Sequence, residues 1–209
     1  MAFEVKKPNP PLQFRGILQR RKKTTRIVLH HYHSTSATVH DVHRWHLGNG
    51  WAGIGYNMVV DSDGTIWEGR GIDVVGAHAK GNNADSIGIA CQGRFDDHTR
   101  EMSDAQFNGL VWLIKHTREI YGNLPLERHG DLGNTACPGR YFPWEELLRL
   151  DFRGSAVTNR HSRNFDVLRK GKNCTLPSPP SVAALGQQHN VEAALTQYMD
   201  GNGNKIKIY

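Results

Sequence analysis

The chain has 209 residues, a mass of 23.5 kDa and a formal net charge of +6. With 38% apolar and 22% charged residues it has the material for a core, which excludes a wholly disordered chain, and its length suits one domain with an appendage. No apolar run reaches the ~18 residues that cross a bilayer, and residues 1–8 hold no apolar stretch of the signal-peptide kind, so the chain is expected to be soluble and made in the cytoplasm.

Residues 1–23 read as a mostly irregular basic arm that ends in Gln19-Arg20-Arg21-Lys22-Lys23. The β-branched and apolar run in Thr24-Thr25-Arg26-Ile27-Val28-Leu29-His30-His31 predicts a central strand buried on both faces. Thr38 followed by Asp41 is a helix N-cap signal. The helix it opens would carry Val39, Val42, Trp45 and His46 and stop near Gly48. Residues 55–60 and 65–68 flank Asp61-Ser62-Asp63-Gly64, a hairpin signal with Asp-Gly as the turn. Residues 86–91 predict another short buried strand. Ser103 to Gln106 reads as a capping box, and Phe107, Leu110, Val111, Ile114 and Tyr121 recur at helical spacing before Gly122, predicting a helix over 104–121. Residues 124–128 suit a last strand, and Pro143 suits the first position of a closing helix through Leu150. Strands mixed with helices imply an α/β domain with helices on both faces of a mixed sheet.

After about residue 152 the composition shifts. Residues 153–173 are rich in Arg, Lys, Asn and Ser, residues 175–181 have linker composition, Val191 to Met199 could form a short helix, and Lys205 to Tyr209 alternate like a strand. This segment is read as a tail or a small appended element.

The twelve histidines and three cysteines carry the chemistry. Cys91, Cys137 and Cys174 cannot all pair internally, so a metal ligand or buried thiol is expected rather than a disulfide scaffold. The excess of histidine favours metal chemistry; the plainer reading is that many are exposed polar residues. Catalytic zinc sites use three protein ligands and a water. His30 at a strand end, with His129 and Cys137 at the two ends of a Gly-rich loop, could supply them, although His31 and His33 compete with His30 on spacing alone. Adjacent strand residues point to opposite faces, so His30 and His31 cannot share one metal while the strand continues. The basic charge favours an anionic partner without choosing among nucleic acid, membrane and acidic polymer.

Taken together, Ile27-Val28-Leu29-His30-His31, Val42-His43-Arg44-Trp45-His46 and Gly50-Trp51-Ala52-Gly53-Ile54-Gly55-Tyr56-Asn57 resemble the zinc N-acetylmuramoyl-L-alanine amidases, the family of T7-type phage lysozymes and peptidoglycan recognition proteins. The similarity continues through Asp63 to Arg70, Gly76-Ala77-His78-Ala79-Lys80-Gly81 and Ser86-Ile87-Gly88-Ile89 to His129 and Cys137-Pro138-Gly139. It covers roughly residues 24–150 in order.

This resemblance implies a central mixed β-sheet flanked by helices with a substrate cleft above it, to which this chain adds the C-terminal extension. It implies one Zn2+ per chain on His30, His129 and Cys137, and an active-site tyrosine at Tyr56. The substrate would be peptidoglycan, cut between N-acetylmuramic acid and L-alanine of the stem peptide for bacterial lysis, as in phage endolysins. A cation of this kind polarises the amide and lowers the pKa of bound water from ~15.7 toward ~7, and a phenol can donate to the oxyanion that forms. The sequence departs from T7-type members in carrying Thr135 where they have a lysine; Thr135 could donate a hydrogen bond but not a charge. It departs from another branch in carrying Gln92 where that branch has a glutamate base, which leaves the general base unassigned. His78 could line the cleft or be a hydrogen-bonded structural histidine. Asn83, Trp51 and Arg70 are the other candidate substrate contacts, Trp51 and Arg70 being equally readable as core. Cys91 is expected to be a buried thiol and Cys174 an exposed one.

The expected organisation is a basic arm at 1–23, a zinc amidase domain at 24–152 and a basic, Pro-containing tail or small wall-binding element at 153–209. The expected partners are peptidoglycan and, through the basic C-terminal region, an anionic wall polymer or membrane surface, with no specific nucleic acid and a monomeric state. The enzyme would act on the cell wall after release from the cytoplasm. A non-catalytic peptidoglycan-recognition module and a cytoplasmic amidase recycling wall fragments are the alternatives.

Overall fold

The strand signal at residues 24–31 and the two helix caps hold in a computed structural model that describes residues 3–97 and 101–150. Among the described residues six strands form one sheet in the order β1-β4-β3-β5-β2-β6. They are β1 (Val5–Lys6), β2 (Arg26–His31), β3 (Met58–Val60), β4 (Ile66–Glu68), β5 (Ser86–Cys91) and β6 (Leu126–Arg128). Only β3 and β4 pair antiparallel; every other neighbouring pair is parallel. β2 has a partner on each side, and Ile27, Val28 and Leu29 are fully buried. A continuous apolar run is what such a doubly covered parallel strand needs.

The basic arm is not irregular throughout. Val5 and Lys6 pair with Ile66 and Trp67, and Arg20 bridges Val74. Arg21 donates to the carbonyls of Ile72 and Val74 at 2.5 and 2.9 Å. A two-residue strand has no periodicity to read; it forms because β4 leaves an edge to be paired.

Helix α1 (Val39–Gly48) starts at Thr38, whose side chain accepts from the Asp41 amide while Asp41 accepts from the Thr38 amide. It buries Val39, Val42 and His43, whereas Trp45 is 49% exposed. His43 replaces Trp45 in the core because its ring meets two backbone partners there: Ile54 N–H donates to Nδ1 at 3.1 Å, and Nε2 lies 3.0 Å from the Gln13 carbonyl. Above the sheet, Val39 and Val42 pack with Tyr32, Ala37, Ile54, Val59 and Ala90.

Helix α2 (Asp104–Tyr121) spans the predicted range and ends at Gly122. Ser103 caps it by accepting from the Gln106 amide. Gln106 does not close the box; its buried side chain donates instead to the carbonyls of Val60 and Gln92 at 2.9 and 2.8 Å. The Val60 carbonyl also accepts from the Gln92 amide at 2.9 Å, so Gln106 adds a second donor there and gives the Gln92 carbonyl one beside the sheet; those buried bonds are worth more than closing the cap. Leu110 and Leu113 are fully buried, each worth about 1.5–3 kcal/mol on burial. Gly64 in the hairpin turn has φ +84°, and a Cβ there would stand 2.5 Å from the Ala105 carbonyl oxygen, so the turn and its contact with α2 both require glycine.

The short helix α3 (His129–Leu132) follows β6 directly, and α4 (Trp144–Arg149) has Pro143 at its N-cap, one residue earlier than expected. Among the described residues no helix is long and apolar enough to cross a membrane. The expectations for the linker at 175–181, the helix from Val191, the alternating Lys205–Tyr209 segment and Cys174 lie outside the described residues.

Candidate metal centre

Parallel pairing of β2 with β6 sets Leu29 beside Arg128. His30 follows Leu29 on β2, and His129 follows Arg128 as the first residue of α3, so both emerge near the C-terminal ends of adjacent strands, where open α/β sheets place ligands. Their ring centroids are 4.5 Å apart. Cys137 returns to this point because the loop after His129 closes on itself. Gly130 N–H donates to the Cys137 carbonyl at 2.7 Å, Cys137 N–H to Thr135 Oγ1 at 3.2 Å, and His31 N–H to Cys137 Sγ at 3.4 Å. Arg128 forks onto Asp131 at 2.8 and 3.1 Å and lies over the Trp144 ring, which ties the His129 turn to α4.

The donor atoms of His30, His129 and Cys137 all lie within 4.8 Å of one another. His30 Nδ1 is 3.8 Å from Cys137 Sγ. Zinc at ~2.0–2.1 Å from nitrogen and ~2.3 Å from sulfur separates tetrahedral ligand atoms by roughly 3.3–3.6 Å, so this donor set fits a zinc ion after a small adjustment. Burial, with His78, His129 and His31 nearby, holds His30 well below the ordinary imidazole value, and burial also lowers His129. Both rings stay neutral and offer lone pairs. Burial pushes the Cys137 thiol up to about 11, with the His31 amide pulling the other way; a cation held here would oppose that and favour the thiolate.

The alternation rule decides between the histidines. His31 turns to the other side of β2, stacking on Phe95 and meeting His33, and Phe95 N–H approaches its Nδ1 at 3.4 Å. Tyr56 lies beside the cluster, its ring 5.2 Å from that of His30. Burial and then Cys137 push its phenol up, so it remains a proton donor at neutral pH. Thr135 is exposed and lines, with Ala79, Lys80, His129, Leu132, Gly133 and Asn134, a cleft of about 400 Å³.

Three of the expected substrate contacts are tied up inside the protein. His78 is buried, with Nδ1 3.0 Å from His30 Nε2 and Nε2 3.3 Å from Ser86 Oγ. Asn83 Oδ1 accepts from the amides of His78 and Ala79 at 2.8 and 2.9 Å. Arg70 donates to the carbonyls of Ile54 and Val75 at 2.7 and 3.2 Å. Trp51 is 41% exposed and lies against His46. Gln92 is structural, bonded to Ala37 and Ser62. The spacing pointed to none of the supporting roles of Ser86, His43, His46 and Asn57. Asn57 is fully buried and joins three segments: its amide donates to the carbonyls of Gly71 and Val74, and its oxygen accepts from Gly88 N–H. Among the described histidines, His30, His31, His43 and His78 are buried.

The family profile described as N-acetylmuramoyl-L-alanine amidase matches residues 20–140. The chain is 32% identical over 143 residues to an endolysin of Klebsiella phage KP32, covering 63% of this chain and 94% of the relative. It is 35% identical over 132 residues to peptidoglycan-recognition protein SC2 of Drosophila melanogaster, covering 57% and 70%. Among solved structures it is similar to N-acetylmuramoyl-L-alanine amidase LysC from Clostridium intestinale, at 33% identity and a TM-score of 0.66, covering 72% of this chain and 99% of that one.

Proposed function

The chain belongs to the N-acetylmuramoyl-L-alanine amidase family and is an enzyme of that class, and on that premise we propose that it is a zinc-dependent endolysin. It cuts the amide between N-acetylmuramic acid and L-alanine of the peptidoglycan stem peptide. One observation carries the reading: the three donors His30, His129 and Cys137 converge within 4.8 Å, and His129 also lines a cleft. A recognition module needs no such complete donor set.

His30, His129 and Cys137 hold the ion. When bound, zinc polarises a carbonyl and makes a water acidic enough to attack it near neutral pH. Tyr56, kept protonated by burial, donates to the oxyanion of the tetrahedral intermediate. Thr135 Oγ1 accepts from the Cys137 amide and keeps its own hydroxyl proton to give to the substrate. The stem peptide lies along the cleft that Thr135, Lys80 and Asn134 line, and Trp51 offers a partly exposed aromatic face.

Catalysis belongs to residues 24–152. The basic residues Arg153, Arg160, Arg163, Arg169, Lys170 and Lys172 suit residues 153–209 to an anionic wall polymer or membrane surface. The enzyme meets the wall after release from the cytoplasm and works as a monomer.

Zinc content and product ends test the reading together. Wild type should bind one zinc per chain, and Cys137→Ala should bind none. Digested peptidoglycan should gain free L-alanine amino termini without new reducing sugars. Bound zinc without cleavage would mark a recognition module, and new reducing ends would refute amidase chemistry.

A further inference from the structure

His78 has both ring nitrogens engaged inside the protein, and the partners form a chain with one direction. Ser86 Oγ lies 2.5 Å from the Asn82 carbonyl oxygen. A carbonyl oxygen only accepts, so Ser86 gives its single proton there. Ser86 Oγ, 3.3 Å from His78 Nε2, must then accept from an Nε2–H. A neutral imidazole with its proton on Nε2 has only a lone pair at Nδ1. His78 Nδ1, 3.0 Å from His30 Nε2, therefore accepts, and the proton between the rings sits on His30 Nε2. That leaves the lone pair of His30 on Nδ1, the atom facing Cys137 Sγ at 3.8 Å.

The packing is built around this ring. A Cβ on Gly88 would stand 2.4 Å from His78 Cγ and Cδ2, and one on Gly76 would stand 2.4 Å from Cδ2. The two glycines leave a slot that the imidazole fills. Asn83 Oδ1 fixes the backbone of the same loop through the His78 and Ala79 amides. Nothing in this arrangement frees a His78 nitrogen for substrate.

We propose that His78, oriented by Ser86, is a positioning residue that locks His30 in the Nε2–H tautomer and so makes Nδ1 its ligand atom. The tautomer follows from the hydrogen-bond chain alone; its consequence for the metal rests on the zinc reading above. A ligand histidine generally donates its second N–H to an outer partner that sets ring orientation and basicity. Here that partner is another imidazole, whose own proton is set by a serine and a backbone carbonyl.

The test combines imidazole spectra with metal affinity. Long-range 1H–15N correlation on zinc-free, 15N-labelled wild type at pH 7.5 should show His30 protonated at Nε2 and His78 at Nε2. Zinc affinity, by competition with a chromophoric chelator, should fall about ten- to hundredfold in His78→Leu, which keeps bulk and removes the acceptor, and stay within about threefold in His78→Asn, whose side-chain oxygen can accept from His30. Ser86→Ala, a small change, should leave the fold intact and mix the His78 tautomers in the same spectrum. A wild-type spectrum with His30 protonated at Nδ1 overturns the proposal, as does a His78→Leu protein that binds zinc like wild type and only raises KM. A wild type that takes up no zinc but shows His30 Nε2–H refutes the zinc reading and leaves the tautomer lock standing.

Discussion

Replacing Asn57 by alanine removes three hydrogen bonds of a buried side chain in one step. Asn57 is fully buried, and its amide donates to Gly71 O at 2.9 Å and Val74 O at 2.7 Å while its oxygen accepts from Gly88 N–H at 2.9 Å. Val74 O keeps a donor in Arg21 and Gly71 O a longer one in the Val74 amide, but the Gly88 amide loses its side-chain acceptor inside the sheet. With about 1 kcal/mol net for each of two partly replaced bonds and about 1–3 kcal/mol for the orphaned amide, Asn57→Ala should cost roughly 3–5 kcal/mol. Domains hold only about 5–15 kcal/mol in total, so the urea midpoint should fall steeply. The assay is equilibrium urea unfolding of both proteins, read as a change in midpoint at constant slope. Asn57 sits between Tyr56 and the first residue of β3, so zinc-dependent cleavage should fall as well. A loss below about 1 kcal/mol would refute the reasoning, since it would mean that these groups find other partners or water at no cost.

Other consequences follow from the same structure. Tyr56→Phe should keep its zinc and lose about 10²–10³ in kcat, as removal of an oxyanion donor does; unchanged turnover would assign the ring to the core. Thr38→Ala should cost about 1 kcal/mol of thermal stability through the lost α1 cap and leave cleavage per folded molecule untouched. Burial, and then neighbouring cations, hold His31 and His46 down to about 4. The unfolded chain therefore takes up protons below ~6.5 while the folded one does not, and stability, complete above that pH, is lost as pH falls toward ~4. Melting temperatures of the zinc-free protein should fall steadily from pH 7.5 to 4.5; a flat profile would show these rings charging freely in the fold.

What the residues state locally was readable in order. Thr38 with Asp41, Ser103 before α2, Gly122 after it and the Asp-Gly turn are short-range chemistry, because caps and turns satisfy backbone groups within a few positions. Strand alternation put His30 and His31 on opposite faces, and the linked motifs from Ile27 to Gly139 identified the family and pointed to the three side chains that the structure brings within 4.8 Å of one another. Trp45, Gln106 and His78 were misread or left open by the same method. Each is decided by a partner far along the chain: the Gln13 carbonyl that draws His43 inward in place of Trp45, the Val60 and Gln92 carbonyls that take Gln106 from its cap, and the His30 ring that claims His78. Local periodicity tells a residue which way to face, but only the crossover order β5-β2-β6 brings His30, His78 and Cys137 to one point, since buried polar atoms must find partners wherever the packed sheet puts them.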